Sequence, residues 1–360
     1  MKKIVLTGGP CSGKSTALSN LKDTLEDLGY KVFIVKEAAT ELINQGIKPF
    51  GDNKIPLYDF QKCVIDYQLR QERISRIKAS LYRNSIIIHD RGILDGKAYI
   101  NESEWNMLLK EMNLNENSLL NRYDEVIHLV SIACDRKDLY TTTNNDARSE
   151  SAEEAAFKDN NTLKCYLGHH NLKVVDNSTD FTDKINIVKN HILAYLAEPT
   201  YSNRQYKFLV KLDESDLERL YSISKVSIIE QTYLKSEDDI DYKVRKKNTL
   251  DDISYYLIKK RKKGNNEEII TSKIINRLEY SYYLSKQDPN YNTIIKTRYS
   301  FKYNKDVFNL DIFDDNYGIL ENETTKDISL LELPSFLKII NSDSKQMNNK
   351  EIAKIKKIVK

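Results

Sequence analysis

The sequence predicts two successive folds in one chain. A parallel α/β sheet covered by helices runs through about residue 197, and an α+β antiparallel sheet or barrel follows from residue 206. Three observations predict this. In the first half, short runs that are apolar throughout alternate with stretches of helical period, the pattern of a parallel sheet covered on both faces. The stretch GGPCSGKST (8–16) follows the first apolar run and opens the first helical one. After AEPTYSNRQ (197–205) the apolar period shortens to two, and turn-like segments separate eight strand-like runs. The expected division is therefore 1–197, a linker at 198–205, and 206–360.

The elements of the first half follow in order. KKIVLTGG (2–9) reads as a buried strand ending in glycine, and STALSNLKDTLEDLG (15–29) as a helix stopped by Gly29. KVFIVKE (31–37), NSIIIHD (84–90), DEVIHLVS (124–131) and LKVVDN (172–177) are the next four strands, and TDKINIVKNHILAYLA (182–197) is the closing helix. In the second half the strand-like runs are YKFLVKL (206–212), KVSIIEQTYL (225–234), DYKVRKK (241–247), SYYLIKKRKK (254–263), EEIITSKI (267–274), NTIIKTRYSFKY (292–303), VFNLDIF (307–313) and YGILENETT (317–325). Helical segments are expected near 213–223, at 276–286 and from about 348.

The totals suit this organisation. A chain of 360 residues with 40% hydrophobic and 30% charged residues is long enough for two domains and reads as soluble and globular. No apolar run reaches the 18 residues that a spanning helix needs, and the apolar stretch in MKKIVLTGG is too short for a signal peptide. Cys11, Cys63, Cys134 and Cys165 are widely spaced without a CxxC pair, so they read as reduced thiols in a cytoplasmic protein. His169 and His170 are adjacent but have no partners at zinc-ligand spacing. Residues 1–200 carry 26 basic and 28 acidic side chains, against 30 and 25 in 201–360. The mildly basic second half indicates either an anionic partner or solvated lysines.

GGPCSGKS fits G-x-x-x-x-G-K-[ST] with Gly8, Gly13, Lys14 and Ser15. Glycines let consecutive backbone N–H groups wrap phosphate oxygens, and the next helix aims its N-terminal N–H groups at the same anion. This predicts a nucleoside triphosphate, ATP or GTP, bound by Gly8, Gly9, Cys11, Ser12, Gly13, Lys14, Ser15 and Thr16. Lys14 would reach the β/γ-phosphates and the Ser15 hydroxyl would ligate Mg²⁺. Asp90 ends the third strand and is a second candidate for orienting Mg²⁺, with Arg91 beside it to meet a transferred phosphoryl. Glu37 ends the second strand at the crevice where ligands bind in such sheets; it could act as general base or merely hold Mg²⁺ or a ribose. In the polar segment 134–155, Arg136 and Arg148 are either lid arginines or solvated loop residues. Tyr58, Gln61 and Gln68, at helical spacing, are candidates to border an acceptor pocket.

The GGPCSGKST loop, the E-A-A turn at Glu37 and the DRG at Asp90 resemble a kinase-type P-loop family that includes nicotinamide riboside kinases and relates to deoxynucleoside kinases. The resemblance covers roughly residues 1–195. It implies transfer of a γ-phosphoryl to a small hydroxyl acceptor, or simple triphosphate hydrolysis.

In a strand, residues i and i+2 share a face. Lys207 and Lys211, Lys243 and Arg245, Lys259 and Arg261, and Lys296 and Arg298 form such pairs, and Glu321 and Glu323 form an acidic one. Phe208 and Val210, Tyr256 and Ile258, and Phe308 with Leu310 lie on the alternate, apolar row. Periodicity alone leaves two arrangements open: an apolar core with the charges in water, or a basic lumen whose apolar exterior is covered by helices. The motifs QYKFLVK, DYKVRKK, YLIKKRK, IIKTRYSF and ILENE resemble, in order, the triphosphate tunnel (CYTH) superfamily over about 203–325. That resemblance implies an eight-stranded tunnel binding a polyanion through Lys207, Lys211, Lys243, Arg245, Lys259, Arg261, Lys296 and Arg298. The superfamily's metal-holding E-x-E-x-K is replaced by Asn203 and Gln205 before Lys207, leaving Glu321, Glu323 and Asp311 as the remaining carboxylates. The two halves together resemble the TRPL translocation defect protein family. This implies GTP binding with a phosphoinositide headgroup or another phosphorylated small molecule as second ligand, which leaves peripheral membrane contact open; the basic second half carries no recognised nucleic-acid module, so no nucleic acid partner is expected. The expectations for function are thus a phosphotransferase or, alternatively, a triphosphate-dependent binding switch.

Overall fold

Five short strands make the first sheet: β1 (Lys2–Thr7), β2 (Lys31–Val35), β3 (Ser85–Asp90), β4 (Glu125–Leu129) and β5 (Leu172–Val175). Every pairing is parallel, in the order β2-β3-β1-β4-β5. The computed structural model describes residues 1–135, 151–196, 204–236, 240–250, 252–263, 267–314, 317–324, 328–341, 349–350 and 352–353. Strand composition explains the order. Interior β4 is buried along its whole length and β3 for all but Asp90, whereas edge β2 and β5 are only partly buried.

Helices cover this sheet. α1 (Lys14–Asp27) buries Ala17, Leu18, Leu21 and Leu25, an i, i+1, i+4, i+8 stripe. α2 (Ala38–Asn44) and the 23-residue α3 (Leu57–Ala79) follow β2. A 3₁₀ turn (Ile93–Tyr99) leads to α4 (Glu102–Glu111) and α5 (Glu116–Leu120), and α6 (Ala152–Cys165) and α7 (Phe181–Tyr195) flank β5 in sequence. The core beside β1 and β4 is built on Trp105, Tyr123 and Tyr166, all fully buried.

The chain divides into two units, Met1–Lys189 and Asn190–Lys360, so the division falls within α7. Of the expected linker, residues 198–203 lie outside the described residues, and Arg204 and Gln205 already belong to β6 (Arg204–Lys211). The second unit is one antiparallel sheet of nine strands, one more than expected. β7 (Lys225–Tyr233), β8 (Ile240–Asn248), β9 (Ile253–Lys263), β10 (Glu267–Ile275), β11 (Ile294–Tyr303), β12 (Asp306–Asp314) and β13 (Tyr317–Thr324) match the predicted runs. The additional β14 (Lys338–Asn341) is four residues long and, among the described residues, pairs only with β6. The order is β10-β9-β8-β7-β11-β12-β13-β6-β14, and among the described residues the end strands do not pair with each other, so the expected closed barrel is an open sheet.

That sheet is curled. Flat, at about 4.8 Å per strand, β8 and β6 would lie roughly 24 Å apart. Yet Lys243 on β8 feels the charges of Lys207 on β6 and Glu321 on β13. α8 (Glu214–Ile223) packs Leu220 on the outer face with Phe208, Val210, Phe301, Phe308 and Leu310. α9 (Arg277–Leu284) covers Val244, Tyr255 and Leu257 with Tyr280. The apolar row is therefore the covered exterior on every strand named except β9, where Tyr255 and Leu257 face α9, and of the two arrangements the charged concave face is the one adopted.

Candidate functional sites

The loop after β1 owes its path to its glycines. Gly8 (φ 143°) and Gly13 (φ 93°) lie in backbone regions that side chains disfavour. A Cβ on Gly8 would stand 2.1 Å from the Leu129 carbonyl oxygen, and one on Gly13 2.8 Å from the Phe181 ring. Cys11 takes φ 55° between them. Gly13 caps α1 without a side-chain acceptor, so the first-turn N–H groups, beside exposed Ser15 and Thr16, are left to an external anion. Gly9 and buried Ser12 stiffen the loop. The Gly9 N–H donates to Asp159 Oδ1 at 2.6 Å, and Ser12 Oγ accepts from Lys14 Nζ at 3.0 Å. Lys14 Nζ also donates to the Gly8 and Gly9 carbonyls at 2.8 and 3.0 Å. Burial, then Arg91, pull the Lys14 ammonium down to about 8, against Glu37, Asp90 and Asp95.

The strand ends bring four charged groups to this loop. Arg91 follows β3 at φ 68°. Its Nε donates to Glu37 Oε1 at 2.5 Å, and its Nη1 to the Gly8 carbonyl at 3.1 Å and Asp95 Oδ2 at 3.0 Å. Asp95, unremarked in the sequence, is the hub behind Arg91. It also accepts from Thr7 Oγ1 at 2.8 Å, the Gly92 N–H at 3.2 Å and the Tyr166 hydroxyl at 2.7 Å. Burial pushes the Glu37 carboxyl up, but Arg91 and Lys14 hold it below the usual range, and Thr40 Oγ1 donates to Oε2 at 3.0 Å. Asp90 goes the other way: burial and the neighbouring Glu37 raise it, and its Oδ1 is buried without a hydrogen-bond partner.

That orphaned oxygen supports a fit to a divalent cation, with the Ser15 hydroxyl as the other protein group. Among the described residues no cluster of three or more His, Cys, Asp or Glu could hold a metal, so the remaining ligands would be phosphate and water oxygens. Gln68, buried on α3, donates to the Arg91 carbonyl at 2.9 Å, and buried Gln61 abuts Gly96. Arg136 and Arg148 lie outside the described residues. Asp159 is the other group that sequence reasoning missed. It joins the Gly9 and Ser131 N–H groups to His128 Nε2 across 150 residues of sequence, and only its position at i+8 from a capping Ser151 could have hinted at a buried face.

In the second unit the register decides which charges meet. Arg245 pairs with Gln231 and Tyr256, Lys296 with Ile229, Arg298 with Asp311 and Ser227, and Glu321 with Lys207 and Asn309. These residues share the concave face, and Lys247, which the sequence reading passed over, continues the Lys243–Arg245 row. Lys296, 2% exposed, ion-pairs with Asp311. Arg298 clamps Asp311 at 2.5 and 2.6 Å and Glu321 at 2.9 Å, and Lys207 reaches Glu321 at 3.2 Å. Arg245 Nη2 donates to Gln231 Oε1 at 3.0 Å. Lys259 is not brought into this group, and the Arg261 side chain lies outside the described residues. Lys259 pairs with Tyr242, one residue out of step with Lys243, so Lys259 lies on the opposite face. There Lys259 Nζ stands 5.8 Å from the Tyr242 ring. The pleat is the reason: β9 turns Tyr256 and Ile258 to the concave side. Lys211 and Glu323 are exposed at strand ends.

The concave carboxylates do not fit a divalent cation. Burial would raise Asp311 and Glu321, but Arg298 and Lys296 hold Asp311, and Lys207 and Arg298 hold Glu321, well below the ordinary carboxylate range. Their oxygens are engaged by ammonium and guanidinium groups. The metal role expected for Glu321 is therefore not supported by the donor set, and Glu323 is exposed at the end of β13, away from these acids.

A parallel sheet of order β2-β3-β1-β4-β5 with a glycine loop, a lysine and an open helix N-terminus after its central strand defines a P-loop nucleotide-binding unit of kinase-like type. More particularly, residues 3–184 match AAA_28, described as an AAA domain, and the chain belongs to that family. Two relatives are each called thymidylate kinase. That of Mycoplasma capricolum is 36% identical over 99 residues, 27% of this chain and 46% of the relative; that of Mesoplasma florum is 31% identical over 99 residues, 27% and 47%. The chain thus spans about half the length of the curated relatives it matches. Among solved structures, the inorganic triphosphatase NE1496 is similar at 19% identity and TM-score 0.31, over 43% of this chain and 96% of that one. PH1819 of Pyrococcus horikoshii is similar at 17% and 0.28, over 35% and 81%.

Proposed function

We propose that the first unit is a Mg²⁺-dependent phosphotransferase. It would move the γ-phosphoryl of ATP or GTP to a small acceptor. The second unit would hold a phosphorylated polyanion such as a nucleotide, polyphosphate or phosphoinositide headgroup. The observation that carries the first part is the convergence of Lys14, Arg91 and Glu37 with the unpartnered Asp90 oxygen at one glycine loop. Lys14 and the α1 N-terminus hold the phosphates, and Arg91 meets the charge that develops on the transferred group. Glu37 keeps Arg91 in place and is the carboxylate available to take the acceptor's proton. Ser15 and Asp90 would hold the cation, which neutralises phosphate charge. The shared name of the two relatives makes nucleoside monophosphates the first acceptors to try.

A turnover screen of the full chain tests this, with ATP and GTP against thymidine monophosphate, nucleosides and nicotinamide riboside, read by phosphorylated product. Transfer that vanishes in Glu37→Gln while triphosphate binding persists is the expected result. Unchanged transfer in that variant would remove Glu37 from the chemistry, and no transfer or hydrolysis with any acceptor would overturn the enzyme reading. The second reading, a binding switch, is favoured by one observation: both Glu37 oxygens already accept hydrogen bonds, from Arg91 and Thr40. It predicts triphosphate binding without turnover.

A further inference from the structure

We propose that the concave face of the second unit binds its phosphorylated polyanion without a divalent cation, and that Lys243, Arg245 and Lys247 of β8 supply its charge. The inference rests on the polyanion reading above and specifies how the ligand is held.

Two features of the site carry it. The first is occupancy of the acids. In oxygen-ligand sites a cation is held by carboxylate oxygens that have spare lone pairs directed at it. Here Asp311 is bound by Lys296 and by Nε and Nη2 of Arg298, and Glu321 by Arg298 and Lys207. A cation would have to displace buried cations from buried anions, at a cost in desolvation on both sides. The second is the excess of base. Around those two acids the described concave residues include Lys207, Lys243, Arg245, Lys247, Lys296 and Arg298. The acids are fully engaged by three of the six. On β8, Lys243 makes no hydrogen bond or ion pair among the described residues, and Arg245 Nε is buried without a partner. With no counterion beside them these half-buried groups are disfavoured in their charged form, and a polyanion lowered into the trough supplies the missing partner.

The same geometry predicts a proton balance. Lys243 faces Arg245 on its own strand, Lys296 on β11, Glu321 on β13 and Lys207 on β6. Burial and then Arg245 and Lys296 push its ammonium far down. Lys247 faces Arg298 on β11, Arg245 beside it and Lys225 on β7, and burial followed by these cations brings it down to about 7. An arriving anion restores both charges, so binding takes up protons and strengthens as pH falls from about 9 toward 7.

The test is calorimetry with inorganic tripolyphosphate on the full chain carrying Lys14→Ala, which removes the first unit's lysine from the comparison. Titrations run in EDTA and in excess Mg²⁺, in buffers of differing ionisation enthalpy. Binding in EDTA, weakened by Mg²⁺ and with a buffer-dependent heat that reports proton uptake, is expected. Lys243→Met should lower affinity by about tenfold and reduce the uptake. Glu321→Gln should keep or tighten binding in EDTA, whereas loss of Mg²⁺-supported binding in that variant would mark Glu321 as a metal ligand and overturn the proposal. Binding absent in EDTA and restored by Mg²⁺ or Mn²⁺ overturns the metal-free site while leaving the polyanion reading intact. No binding under either condition overturns both.

Discussion

Lys14 illustrates how one side chain can be tuned by its surroundings before any ligand arrives. Its ammonium is folded over the Gly8 and Gly9 carbonyls and is brought down to about 8, chiefly by burial. The sign has two consequences. Between about pH 8 and 10.5 the unfolded chain carries a proton on Lys14 that the folded one does not, so Lys14 makes the unliganded fold more stable as pH rises through that window. Triphosphate affinity should move the opposite way, weakening above pH 8 as the charge is lost. Thermal denaturation and nucleotide titration of the parent and Lys14→Met, compared at pH 7.5 and 9.5, check both directions. Lys14→Ala should weaken triphosphate binding by about 10–100-fold, the loss of a charged hydrogen bond of ~1.5–3 kcal/mol. Arg91→Lys keeps the charge but gives up the fork shared by Glu37, Asp95 and the Gly8 carbonyl. Turnover should fall about tenfold or more, with triphosphate affinity changed little, in steady-state assays.

At the scale of elements, the glycine loop and the β8 strand are positioned by different physics. The loop is shaped by backbone conformations that exclude side chains. Gly8→Ala puts a Cβ against the Leu129 carbonyl, and backbone cannot move aside as a flexible side chain can. A loss of ~2 kcal/mol or more is expected, visible as a melting temperature lower by several degrees. Strand β8, by contrast, takes its meaning from pleat and register. Its row of Lys243, Arg245 and Lys247 turns inward because Tyr242 and Val244 pack under α9. On β9 Lys259 belongs to a pair of identical spacing, yet it lies outside. Lys259→Ala should therefore leave tripolyphosphate affinity within about twofold of the parent, against about tenfold for Lys243→Met, in the same calorimetric assay.

For the whole molecule, the division into two units predicts two separable phosphate sites. In the full chain, Lys14→Ala should abolish nucleotide-dependent turnover yet spare tripolyphosphate binding in EDTA, and Lys243→Met should spare turnover while weakening tripolyphosphate binding by about tenfold. Parallel turnover and binding assays on both variants check this. Affinity for tripolyphosphate should also fall as ionic strength rises, because the site works through charge.

The sequence by itself determined the parts governed by local rules. The glycine loop, the parallel sheet, the period-two second half, and Asp90, Arg91 and Glu37 at strand ends all follow from backbone sterics and burial periodicity within a few residues. What only the tertiary structure decided depends on residues far apart in the chain. Asp95 behind Arg91, Asp159 beneath Gly9, the inward Lys247 and the outward Lys259 are set by pairing register and sheet curl. So is the engagement of Asp311 and Glu321 by cations from other strands. A two-residue repeat names the members of a face, but only the neighbouring strand and the helix packed over it decide which face is enclosed.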